Sequence, residues 1–131
     1  MVIRKNMTNN EIYTHANNLL GEFEDIAELN LPVKVHFYFQ KNMDNVIKMA
    51  QDIEKSRTDI LNKYGSFDSE TQKYSFEEKD VEQANQDMMD LFSLEQEVKI
   101  HMIPMHWVED LEFTAKQVNA FSFMLEFDEE E

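Results

Sequence analysis

Residues 31–40 read LPVKVHFYFQ. Val33, Val35, Phe37 and Phe39 alternate with Lys34, His36, Tyr38 and Gln40. A period of two puts the apolar set on one face of a β-strand. β-Branched and aromatic residues suit a pleated, half-buried surface, and Pro32 stands at the start, where its missing N–H costs a sheet least. Residues 97–103, EVKIHMI, repeat the alternation in Val98, Ile100 and Met102, and Pro104 ends the run. Neither strand can bury its apolar face alone, so the pattern predicts that the two pair antiparallel. The competing reading is that Pro32 opens one helix running through Tyr64, which would scatter the alternating apolar residues around its circumference.

On the N-terminal side, residues 1–7 read as a loose tail. Thr8 and Glu11 form a capping box. Ile12, Ala16, Leu19, Leu20, Phe23, Ile26 and Ala27 then predict an amphipathic helix that stops before Pro32. On the C-terminal side, Asn42 is placed to cap a second helix. Its stripe is Met43, Val46, Ile47, Ala50, Ile53, Ile60, Leu61 and Tyr64, with Arg57 laying its aliphatic stem along it. Residues 65–73, GSFDSETQK, read as a loop. Ser75 and Glu78 make a second capping box before a third helix carrying Val81, Ala84, Met88, Leu91 and Phe92. Thr114 and Gln117 make a third, before Val118, Phe121, Met124 and Leu125. The expected fold class is α+β and mostly helical, as one domain over residues 1–131. A long antiparallel helical hairpin is inserted between two antiparallel strands, with N- and C-terminal helices packed on them. Leu20, Phe23, Phe37, Phe39, Ile47, Phe92 and Phe121 are the expected core, and residues 128–131 an acidic, solvated tail.

Hydrophobic residues make up 42% of the 131, enough to argue against disorder. There is no cysteine, so disulfides and thiolate chemistry are excluded. No apolar run approaches the roughly 20 residues of a membrane span, and the first ten residues lack the apolar core of a signal peptide. The expected location is the cytoplasm. The net charge of −15 is unevenly spread. Residues 1–65 hold 9 acids and 8 bases, and residues 66–131 hold 18 acids and 4 bases, so −1 and −14 sum to −15. Direct binding to nucleic acid or to an anionic membrane is disfavoured, since both rest on Lys and Arg. A basic protein surface is favoured. The plainer account is that acidity keeps the chain soluble.

Several short pieces, in order over roughly residues 10–126, carry a likeness. They are Leu31-Pro32-Val33-Lys34-Val35 with Lys41-Asn42; Arg57 followed by Tyr64-Gly65; Glu97-Val98-Lys99-Ile100; and Thr114-Ala115-Lys116-Gln117-Val118 with Phe123-Met124-Leu125-Glu126. The chain resembles a family of short, functionally uncharacterised proteins of tailed phages and prophages of Gram-positive bacteria. It departs from that pattern in the aromatic run 37–39 and the His-Met segment near 101–106. The resemblance implies a phage accessory protein acting in the host cytoplasm, and supplies no catalytic residues.

The residues themselves offer little chemistry. His101, Met102, Met105 and His106 are donor types that suit a soft metal, but without thiolate or regular spacing they read as core methionines and surface histidines, and no metal or cofactor is expected. His36 and His101 would face one another across the expected strand pair. Neighbouring carboxylates among 27 acids say nothing about acid–base catalysis, two glycines leave no phosphate-cradling loop, and no serine sits in a nucleophile elbow. No catalytic residue is assigned, and an enzyme is the third reading. The candidate partner-binding residues are Glu78, Glu82, Asp87 and Asp90 on the third helix, with Trp107 beside Glu109, Asp110 and Glu112; Trp107 reads either as an interface anchor or, as a lone tryptophan beside a strand end more often is, as core. They would dock on a basic surface of a host protein, in the extreme as a nucleic-acid mimic inhibiting a defence protein or nuclease. The alternative is a phage structural or assembly component that forms homo-oligomers through the helical hairpin.

Overall fold

The computed structural model describes residues 1–126. The expected acidic tail at 128–131 lies outside the described residues. In chain order the elements are β1 (Val2–Thr8), α1 (Asn9–Gly21), α2 (Phe23–Ala27), α3 (Val33–Tyr64), β2 (Gly65–Asp68), β3 (Lys73–Phe76), α4 (Glu78–Ser93), β4 (Glu95–His101), β5 (Ile103–Pro104), α5 (Ala115–Phe121) and β6 (Leu125–Glu126). The class is mixed α+β, mostly helical, with small two-stranded sheets.

The expected strand at 33–40 is the first quarter of a helix. α3 runs unbroken for 32 residues, about 48 Å at 1.5 Å per residue. Exposure settles the phase: Val33 is 85% exposed, Val35 2%, Phe37 54% and Phe39 7%. A strand would have buried all four together. The buried stripe is Val35, Phe39, Met43, Val46, Ala50 and Ile53, spaced by three and four as a helix face requires. Neither Gly nor Pro interrupts residues 33–64. Pro32 is the N-cap, and its carbonyl accepts from the His36 N–H at 3.0 Å. Residues 33–64 are therefore one element, and from Met43 onward it carries the helical period that residues 33–40 obscure.

The strand that does pair with β4 is β1, antiparallel, from Val2 against His101 to Thr8 against Glu95. The expected N-terminal tail is thus a sheet strand. Its signal was weak, because of the apolar residues along 2–8 only Met7 is buried, Ile3 is half-buried and Val2 is exposed. The other edge of β4 is covered by α3. The Asn42 side chain donates to the His101 carbonyl at 2.8 Å and accepts from the His101 N–H at 2.7 Å. Asn45 donates to the Lys99 carbonyl at 3.1 Å. Residues 99 and 101 repeat along the strand as residues 42 and 45 repeat along the helix, so two amides close an edge that would otherwise invite another strand. Asn42 is not the expected helix cap; it lies mid-helix, buried, and ties helix to sheet.

One core joins Met7 of β1, Ile12 and Leu19 of α1, Ile26 of α2, the α3 stripe, Val98 and Ile100 of β4, and Ala120 and Phe121 of α5. Of the expected core residues, Phe39 and Phe121 are buried with rings 5.5 Å apart, and Phe92 and Ile47 are partly buried. Leu20, Phe23 and Phe37 are exposed. The capping boxes at Thr8–Glu11 and Thr114–Gln117 are both present. The one expected at Ser75–Glu78 is not: Ser75 belongs to β3, and α4 starts at Glu78 without a side-chain cap. The expected loop at 65–73 folds into the β2–β3 hairpin, its turn held by Asp68, which accepts from the Glu70 N–H.

Candidate functional site

α3 is the ruler along which the rest of the chain is laid. Near its C-terminus the Tyr64 hydroxyl donates to Asp87 of α4 at 2.6 Å. Further back, Tyr13 packs edge-on against Phe92 and donates to Glu54 at 2.6 Å. Then come Asn45 at Lys99 and Asn42 at His101. At the N-terminal end Tyr38 lies 5.6 Å from the Trp107 ring, and the Lys34 ammonium sits over that ring at 5.1 Å. The segment from α4 to Trp107 therefore runs back along α3. From Lys34 to Tyr64 is 30 residues, about 45 Å of helix. The candidate binding residues consequently fall into two separate groups. Glu78, Glu82, Asp87 and Asp90 lie toward one end of α3, and Trp107, Glu109, Asp110 and Glu112 toward the other.

In the first group, Ala84 is buried and Met88 and Leu91 half-buried, which sets the inner side of α4. At 3.6 residues per turn, Glu78, Glu82 and Asp90 span an arc of about 120° opposite Ala84. All three are exposed. Asp87 lies about 60° from Ala84, turned toward α3. Hydrogen bonds from Tyr64 and then Gln83 hold its carboxyl below the usual range. Asp90 accepts from Gln86 at 2.9 Å. Among the described residues none of these four carboxylates has a salt-bridge partner; the pair on this helix is Lys79–Glu77.

In the second group, Trp107 is half-buried against the core, between Tyr38 and Lys34, while Glu109, Asp110 and Glu112 are exposed. The tryptophan is framed by side chains of its own fold. His101 meets Tyr38, at 5.6 Å between rings, and not His36, which is exposed on α3; the helix, unlike the expected strand, sends residues 36 and 38 in different directions. Among the described residues no three His, Asp or Glu side chains come together so as to hold a metal ion.

Two further features emerge from the structure. Glu54 accepts from Tyr13 and from both Nε and Nη2 of Arg57, each at 3.0 Å. The guanidinium, then the phenol, lowers the Glu54 carboxyl, and the same bond raises the Tyr13 hydroxyl. Arg57 is thus half of a forked pair rather than a free cation. The second feature is an apolar groove of about 430 Å³ between the α1–α2 corner and the N-terminal half of α3. Leu20, Phe23, Ile26, Phe39, Met43 and Ile47 line it, with Asp44 and His36 at its α3 side. Leu20 and Phe23 are 53% and 50% exposed. The sequence held one signal for it. Leu19 and Leu20 are adjacent on a helix, so they cannot both face the same core. Comparison of the chain with models of protein families, with curated proteins and with solved structures gives no match.

Proposed function

We propose that this chain is a small acidic phage accessory protein that works by binding a protein. It inhibits a host defence protein or nuclease by docking on a basic surface, including one that normally holds nucleic acid. The observation that carries this reading is the outward arc of Glu78, Glu82 and Asp90, exposed and without salt-bridge partners among the described residues. In this reading α3 and α4 act as an antiparallel helical hairpin, the arm that presents the arc. A surface of one sign speeds encounter with an opposite surface. The test is retention of a host protein from a bacterial lysate at low and high salt. Reversing Glu78, Glu82 and Asp90 together to Lys is expected to weaken retention at least about tenfold, with the fold intact because all three are exposed. Asp87 stays in place because it holds Tyr64. The same reversal at Asp52, Asp59 and Glu70, exposed acids outside the candidate binding set, is the control. Equal losses from both triples, or retention indifferent to salt, leave only a solubilising role for the charge.

A second reading is self-association through α4, supported by the exposure of Val81 and Met89 on that helix. A solution mass above that of the monomer, reduced by Met89→Glu, would favour it.

A further inference from the structure

We infer that the groove between the α1–α2 corner and α3 receives one amphipathic helix of a partner protein, apolar on the buried side and rich in Lys or Arg on the other. This rests on the reading that the chain acts by binding a protein, and assigns the partner's docking segment to a different place from the α4 arc. The groove is about 430 Å³, within the range of roughly 300–1,000 Å³ typical of binding clefts. Apart from Leu31 the lining is helical, so among the described residues no strand edge offers main-chain hydrogen bonds to the groove. An occupant must be held by side chains, which is how a helix lies in a groove and not how a strand is added. Leu20 and Phe23 present apolar surface at the mouth, above Phe39 and Met43. Apolar exposure of this kind rimmed by charge marks an interaction site.

The charge of the rim selects the occupant. No Lys or Arg occurs between Lys5 and Lys34, whereas Glu22, Glu24, Asp25 and Glu28 fall on the α1–α2 corner. Glu24 and Asp25 line the hollow that adjoins Leu20 and Phe23. Across the groove stands Asp44. An acidic helix would meet repulsion here; a basic one gains both encounter rate and register.

The test uses a synthetic Leu/Lys amphipathic helix of about 18 residues, long enough for five turns. Its controls are a scrambled peptide of the same composition and a Leu/Glu counterpart. The methionine methyl groups report position, since Met43 lines the groove and Met89 lies exposed on α4. The expected result is a shift of the Met43 methyl signal with Met89 unmoved. Binding should weaken at least about tenfold in Leu20→Ala/Phe23→Ala, and by no more than about twofold in the Glu78, Glu82, Asp90 triple. Equal binding of the scrambled peptide, equal binding of the Leu/Glu helix, or a still Met43 overturns the inference. So does a dimer that Leu20→Ala/Phe23→Ala makes monomeric, because the occupant is then a second copy. A peptide lost only with the α4 triple overturns this inference and leaves the proposed function standing.

Discussion

Two phenylalanines two residues apart separate the competing readings of the chain. On a strand Phe37 and Phe39 would share a face; on α3 they stand about 200° apart. Phe39→Ala is expected to cost about 3–5 kcal/mol, the range for a buried aromatic, and Phe37→Ala under about 1 kcal/mol. Urea unfolding midpoints measure both, and similar costs would restore the strand. His15 is the other residue with a measurable signature. Its ring stacks on Phe123 at 4.3 Å between centroids, and its Nδ1 is buried without a hydrogen-bond partner. Burial lowers its pKa, and Lys5 adds to this against an opposing pull from Glu11. A histidine whose folded pKa is depressed is protonated more readily in the unfolded chain. Its contribution is complete above about pH 6.5 and is lost as pH falls toward the lower folded pKa. His15→Phe is therefore expected to lose less stability than the native chain between about pH 7.5 and pH 5.5. Equal losses would mean that the ring titrates freely.

At the scale of elements, what was legible in the sequence was what local chemistry dictates. Thr8 and Thr114 cap helices because a hydroxyl and a Glu or Gln three residues on satisfy free N–H groups within one turn. The alternation of Val98 and Ile100 reads correctly because β4 has one buried face. What was not legible depended on partners. Alternation at 33–39 mimics a strand, and only packing against α1 and β4 reveals a helix with two of its four apolar residues outside. β1 buries too little to announce itself, and it is strand because β4 is beside it. The groove arises where α1 breaks after Gly21 and α2 turns away, which no periodicity marks. The two glycines make the contrast between local and tertiary control testable. A Cβ at Gly21 would meet nothing within 4 Å, so Gly21→Ala is expected to stabilise by about 0.4–1 kcal/mol. A Cβ at Gly65 would stand 2.8 Å from the Phe76 ring and 2.9 Å from the Leu61 carbonyl, so Gly65→Ala is expected to destabilise by about 1–3 kcal/mol. Thermal unfolding of the two variants should move in opposite directions. A shift in the same direction would refute the close approach at the end of α3.

Across the whole molecule, charge is the term least absorbed by the fold. The chain carries −15, yet among the described residues only three salt bridges form: Arg4–Glu97, Arg57–Glu54 and Lys79–Glu77. Their side chains are between 36% and 76% exposed, so each contributes at most about 1 kcal/mol. Repulsion among the remaining acids acts against the compact state, and it is felt over roughly 8 Å at physiological ionic strength. Added salt therefore weakens a few small attractions and relieves many small repulsions. The midpoint of thermal unfolding is expected to rise by a few degrees between about 0.05 and about 0.5 M NaCl. Reversing Glu78, Glu82 and Asp90 to Lys changes the charge by three times two, from −15 to −9, and is expected to flatten that rise. A midpoint that falls with salt would mean that the ion pairs outweigh the repulsion. It would also remove the argument for a partner, because an acidic face already balanced within its own fold has no excess charge to offer a basic surface.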